Sequence, residues 1–387
     1  MNDRSSQKHS YIVGLCILLS RIAGLIREVL LAHFLGTSVY SDAFKAALRI
    51  PNFLQNLFGE GVLSATFIPV YARLRKLGKT KEAKTLAKEC GILLACLSFI
   101  FLTIGMIFSD QLVLFFAPGF EAEIKELTSR LLKIIFPGTA LLVLSAWCLG
   151  ILNSHRYFAL SYSAPLMWNF SIIGGLGIIL LFSDTFTSLN LSIGELSIFT
   201  AYLVLVGCVL QLLIQVPKTL SLIKSLPESS SPTHQTSFDH PRPWLSLTSS
   251  TKEVLRNFLP VSLGRGIVQI SAYVDTIIAS FLVPGSLSVL MYSQTIFLLP
   301  ISVFGMAVAA AELPALSEEN LDIDGGKNER FLTRLESARD RVLFFVVPCS
   351  IAFIFFGENI ISLVFQSGSF GSESTLLIAL SLASLSL

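Results

Sequence analysis

The sequence predicts an all-α, polytopic membrane protein, and three observations carry that prediction. The 387-residue chain is 53% hydrophobic, with a mean hydropathy of +0.71. Only 14% of its residues are charged, against about 25% in soluble domains. Its apolar residues fall into runs of roughly 20 or more, the length a helix needs to cross a bilayer. No soluble domain of useful size remains between them. The net charge of +2 says little; the placement of the charges says more.

The first span runs from about Tyr11 to Leu35. On an ideal helix at about 100° per residue, its Ser20, Arg21, Gly24, Arg27 and Glu28 fall within a sector of roughly 120°. A charge near the bilayer centre costs at least about 2.5–3.5 kcal/mol, so such residues line an interior or a water-filled path. The stripe therefore reads as a cavity-facing surface that binds an anion. The alternative is a pair of arginines that snorkel to an interface or make only structural pairs. The apolar core before Arg21 is short and no small-residue cleavage site follows, so this is a retained helix and not a signal peptide.

Gly36-Thr37-Ser38 forms a turn, and the second span covers about Tyr40 to Tyr71, with a kink expected at Pro51. Asp42, Lys45, Arg49, Asn52, Asn56 and Glu60 lie within about 80° of one another. A mutually neutralising structural network and a polar cavity are both compatible with this second stripe. Arg73, Arg75, Lys76, Lys79, Lys81, Lys84 and Lys88 then form a basic loop, cytoplasmic by the positive-inside rule.

The third span covers about Cys90 to Phe108, and the acidic segment Asp110 to Glu126 suits the outer side. The fourth runs from about Leu131 to Leu152 across Pro137. After His155 and Arg156 the fifth covers about Phe158 to Phe182, with Pro165 and Asn169 inside it. Asn169 serves either a cavity or a helix–helix hydrogen bond. The sixth covers about Leu196 to Val216. Residues 218–252, rich in Ser, Pro and Thr, read as a flexible cytoplasmic linker.

The seventh span runs from about Val254 to Val283. Its Ser262, Arg265, Gln269 and Tyr273 share a face of roughly 80°, while Asp275 points elsewhere. The eighth covers about Leu287 to Leu316, the ninth about Val342 to Phe356. A tenth begins at Leu376 and stops about half-way across, which reads as a truncated product or a fragment. The predicted organisation is an N-terminal lobe over 1–217, the linker 218–252, and a partial C-terminal lobe over 253–387. With the N-terminus inside, the basic loops after the second, fourth, sixth and eighth spans all fall on the cytoplasmic side.

The two lobes carry a weak repeat. Phe34-Leu35 and Phe281-Leu282 each close a long helix, and Tyr40-Ser41 and Tyr292-Ser293 each follow a turn. Ile68-Pro69 and Leu313-Pro314 come late in each second helix. Duplicated lobes with a site between them are a transporter pattern. The six cysteines lie almost entirely in apolar segments without metal-ligand or redox spacing. No His cluster, Ser-His-Asp arrangement or phosphate loop supports an enzyme, and neither a cofactor nor a nucleic-acid partner is expected.

Several stretches go further. Ser20-Arg21-Ile22-Ala23-Gly24-Leu25-Ile26-Arg27-Glu28, Ser41-Asp42-Ala43-Phe44, Arg49-Ile50-Pro51-Asn52-Phe53-Leu54 and Gly59-Glu60-Gly61 through Phe67-Ile68-Pro69 resemble the MurJ (MviN) family of lipid II flippases. So do Gln269-Ile270-Ser271, Ala279-Ser280-Phe281-Leu282 and Leu313-Pro314-Ala315-Leu316-Ser317. The resemblance implies a multidrug/oligosaccharidyl-lipid/polysaccharide exporter-like fold in the bacterial inner membrane. It implies a substrate, lipid II, which is undecaprenyl-pyrophosphate-linked disaccharide-pentapeptide, and contact with membrane lipids. It also implies transfer from inner to outer leaflet by alternating access, driven by Na+ or the membrane potential.

Carried over, Arg21 and Arg27 would hold the pyrophosphate, Asp42 and Glu60 would be functional acids, and Asn169 and Gln269 cavity polar groups. With the striped Glu28, Arg49 and Arg265, these make up the expected substrate-binding set. Two departures stand out. Gln55-Asn56 replaces paired arginines common in the family, and Ser293-Gln294 replaces an Asp-Arg pair. Arg265 is the expected source of the missing charge. The remaining alternatives are an exporter of another polyprenyl-linked sugar or a drug, and an inactive fragment or scaffold of cell-wall assembly.

Overall fold

In the computed structural model residues 3–58, 60–182, 192–226, 247–305, 308, 312 and 329–387 are described. Their regular structure is all helical. The order is α1 (Asp3–Leu35), α2 (Val39–Phe58), α3 (Glu60–Lys76), α4 (Thr80–Ile107), α5 (Ser109–Phe116), α6 (Ala122–Ser154), α7 (Phe158–Ser163), α8 (Leu166–Leu181), α9 (Ile193–Lys224), α10 (Ser249–Ser280), α11 (Ser286–Pro300) with a following π-helical turn (Ile301–Gly305), α12 (Glu329–Phe365) and α13 (Ser372–Ser386). Six spans among the described residues are long and apolar enough to cross a membrane. The chain is a multi-pass membrane protein.

Several helices outrun the apolar spans that locate them. The basic stretch after α3 is largely helix: α4 begins at Thr80 and carries Lys81, Lys84 and Lys88. Lys, Glu and Ala are good helix formers in water, so the helix continues past the hydrocarbon. For the same reason α12 begins at Glu329, ahead of the predicted Val342. The segment read as an outer loop contains α5 and the first turn of α6. Pro51 stays within α2, while Pro165 separates α7 from α8. Within the predicted linker, α9 extends to Lys224 and α10 starts at Ser249, where the Thr248 side chain accepts from the Thr251 N–H. Residues 227–246 of that linker lie outside the described residues.

By contacts the chain divides into two compact units, interleaved along the sequence. The first comprises Met1–Lys45, Leu191–Leu196 and Val283–Leu387; the second comprises Ala46–Asn190 and Ser197–Leu282. The first unit's core gathers Ala32 of α1, Tyr292 and Ile296 of α11, Phe353 and Phe365 of α12, and Ile378 and Leu382 of α13. The second unit's core joins Phe67 and Tyr71 of α3, Leu86 and Leu94 of α4, Val143 of α6 and Val254 of α10. Lipid is as apolar as leucine, so close packing and polar contacts hold such helices together. Accordingly Gln211 donates to Ser145 Oγ at 3.0 Å, and Ser145 donates to Gln215 Oε1 at 2.8 Å, linking α6 to α9.

The corner after α6 carries a pH-sensitive contact. His155 Nε2 pairs with the Tyr71 hydroxyl at 3.1 Å, and Arg75 Nη1 donates to the Ser154 carbonyl at 2.5 Å. Partial burial, reinforced by the charges of Arg75 and Lys218, pushes His155 from 6.5 down to about 4. Above 6.5 the imidazole is neutral folded and unfolded alike. As the pH falls from about 6.5 towards 4, the unfolded chain binds a proton that the folded chain excludes, and stability is lost. Thermal unfolding in detergent should therefore weaken between pH 7.5 and 5, and His155→Gln should flatten that dependence.

Candidate functional site

In the first unit the charged stripe of α1 meets the start of α2. Arg27 Nη2 donates to Glu28 Oε1 at 2.7 Å. Neighbouring residues on a helix do not face each other, so the Arg27 side chain bends along the helix to reach its neighbour. Lys45 of α2 donates to the other carboxylate oxygen, Oε2. The ammonium of Lys45 also lies 4.0 Å from the centre of the Tyr292 ring on α11, a cation–π contact. Two cations thus share one carboxylate in a buried setting, where charge interactions are stronger than in water.

Asp42 stands one turn before Lys45 and has different partners. Its Oδ2 accepts from the Gly285 N–H at 2.7 Å, and its Oδ1 accepts from the Ser288 N–H at 2.8 Å and the Ser288 hydroxyl at 2.6 Å. A carboxylate at a helix N-terminus satisfies otherwise orphaned donors and meets the positive end of the helix dipole. Asp42 therefore fastens α2 to the start of α11. Gly285, at φ 93°, makes the turn that presents these donors.

The second unit carries a polar seam. Tyr273 of α10 donates from its hydroxyl to the Arg49 carbonyl at 3.1 Å. One turn away Asn56 Nδ2 donates to Gln269 Oε1 at 3.1 Å. A further turn along, the Arg265 guanidinium packs against Gly61, where an added Cβ would lie 2.2 Å from Arg265 Cζ. The seam ends at an ion pair between Arg73 and Glu253 at 2.5 Å. Two buried atoms along this seam, Arg49 Nη1 and Ser262 Oγ, have no hydrogen-bond partner among the described residues. Such groups are costly to leave unmet, and each adds polar capacity to the seam.

The expected residues thus fall into sets. Arg27, Glu28 and Asp42 come together in the first unit, while Arg49, Arg265 and Gln269 line the seam of the second. Arg21 is exposed and makes no ion pair among the described residues. Asn169 is buried on α8. Glu60 opens α3, but its side chain lies outside the described residues. The sequence-derived set omits Lys45 and Tyr292. Lys45 was visible as a lysine three residues after Asp42 on one face; Tyr292 carried no signal beyond its place in the repeat.

Comparison with known proteins gives a consistent family. The family model described as "Lipid II flippase MurJ" matches residues 31–387. A probable lipid II flippase MurJ of Buchnera aphidicola subsp. Schizaphis graminum is 32% identical over 363 residues, covering 92% of this chain and 65% of that protein. This chain thus spans about two thirds of that relative's length. The solved structure "Lipid II flippase MurJ, inward closed conformation" superposes with a TM-score of 0.69 at 26% identity, covering 96% of this chain and 71% of the other. An inward-facing MATE family transporter of the MOP superfamily superposes with a TM-score of 0.62 at 16% identity, covering 96% of this chain and 79% of the other, a likeness of fold alone. On the family match and the shared all-helical fold, the chain belongs to the MurJ family.

Proposed function

We propose that this chain moves lipid II, the undecaprenyl-pyrophosphate-linked peptidoglycan precursor, from the inner to the outer leaflet of the bacterial cytoplasmic membrane. It does so as a transporter, by alternating access, with its N-terminus on the cytoplasmic side. The observation that carries this reading is the buried Glu28–Lys45 pair with the part-buried Arg27 on its outer side in a chain of the MurJ family. A pyrophosphate is a compact polyanion, and a guanidinium fork matches it bidentately. Arg27 is the outer of the two cations, with 16% of its side chain exposed, and Arg21 lies about 9 Å further along α1. Together they offer successive contacts to a phosphate-bearing headgroup.

Release matters as much as capture. Glu28 competes with phosphate for Arg27 and so moderates the grip. An inside-negative membrane potential favours outward passage of an anion, by about 2.3 kcal/mol per charge per 100 mV. A coupled Na+ is the alternative driving force. The test is outer-leaflet lipid II in bacteria depleted of their own flippase and expressing this chain. Exposure should be restored by the chain, and lost with Arg27→Ala at unchanged membrane insertion. Restoration by Arg27→Ala to the level of the parent chain would overturn the arginine-held pyrophosphate.

A further inference from the structure

Lys45 is 2% exposed, and no other lysine or arginine among the described residues is buried. Burying an ammonium is costly unless a partner compensates. Its partner is Glu28, and the Tyr292 ring covers its other side at 4.0 Å. Asp42, one turn away on α2, is occupied by the Gly285 and Ser288 donors. Glu28 therefore serves both cations, an enclosed one on Oε2 and the partly exposed Arg27 on Oε1.

This asymmetry has a direct electrostatic effect. A carboxylate facing Arg27 alone in a low-dielectric site would hold it with its full charge and compete strongly with any phosphate. A second cation fixed on the far oxygen offsets that charge. We infer that Lys45 is a positioning residue: it holds Glu28 from the inside, so that Arg27 can exchange the carboxylate for a phosphate oxygen. The inference rests on the reading of Arg27 as a pyrophosphate ligand.

The experiment is equilibrium binding of undecaprenyl pyrophosphate to the full chain in nanodiscs, with thermal stability measured on the same samples. Lys45→Met should weaken binding about tenfold or more, because Glu28 then holds Arg27 alone. Glu28→Gln/Lys45→Met, which removes both buried charges, should return affinity to within about threefold of the parent. Glu28→Gln alone should lower stability, by leaving Lys45 buried without its counter-ion, yet tighten binding, because no carboxylate then competes with phosphate for Arg27. A merely structural Lys45 would lower stability and affinity together in that variant.

Binding by Lys45→Met within about twofold of the parent would overturn the inference, as would a double variant as weak as Lys45→Met. If Lys45→Met does not fold, the double variant decides, since a tenfold loss there also overturns it. Arg27→Ala separates the two levels. Unchanged binding in Arg27→Ala removes the pyrophosphate reading and this inference with it. Weakened binding there with unchanged Lys45→Met removes this inference alone.

Discussion

Gly285→Val should destabilise the protein by roughly 2–5 kcal/mol. Two costs add. The position sits at φ 93°, a left-handed conformation that costs an L-residue about 1–2 kcal/mol and is worst for a β-branched one. In addition, a Cβ there would lie 2.2 Å from the Thr37 carbonyl oxygen. That atom is backbone and cannot swing aside, so the turn must open. Opening pulls the Gly285 N–H away from Asp42, and a buried carboxylate short of a donor costs about 1–3 kcal/mol. Thermal unfolding in detergent should show a drop of roughly 5 °C or more. Gly177→Ala, at a position with nothing within 4 Å, is the matched control and should show no loss. Equal midpoints for Gly285→Val and the parent would mean that the turn is not needed to hold α2 to α11.

Arg265→Glu should abolish flipping while leaving membrane insertion intact. The guanidinium is exposed and packs on Gly61, in the same seam as Gln269 and Arg49. Reversal replaces a cation with a carboxylate on the face proposed to meet a phosphate-bearing substrate. It also places that carboxylate against α3, where the absence of a Gly61 side chain leaves room for it. The loss should therefore be electrostatic and not structural. Arg265→Lys should keep part of the activity, because charge is retained and the bidentate fork is not. The measurement is outer-leaflet lipid II in flippase-depleted cells, normalised to inserted protein. Full activity in Arg265→Glu would remove Arg265 from the substrate path.

The helical spans were legible because hydropathy reports the bilayer directly. Their ends were not, because stretches such as Thr80-Lys81-Glu82-Ala83-Lys84 are polar and helix-forming at once. The face shared by Arg265, Gln269 and Tyr273 followed from a 100° step, and the structure turns all three towards α2 and α3. Asp42 and Lys45 were visible as members of one stripe, but their different fates were not. The donors that occupy Asp42 include backbone N–H groups at Gly285 and Ser288, and a backbone donor has no side-chain signature. Lys45 finds its carboxylate only 17 residues away, yet nothing in the spacing says that Arg27 shares it.

That difference in reach has a consequence for synthesis. Glu28 and Lys45 are made almost together and can pair as soon as α2 enters the membrane. The Gly285 donor for Asp42 lies 243 positions downstream, a delay of roughly 10–50 s at ordinary translation rates. For that time the nascent chain holds an acidic group in an apolar setting without its final partners. The nearest cation is Lys45, one turn along α2 and already committed to Glu28. The emergence of α11 from the ribosome thus settles a charge balance that α1 and α2 leave open, and Asp42 reaches its final pairing only after α11 has been made.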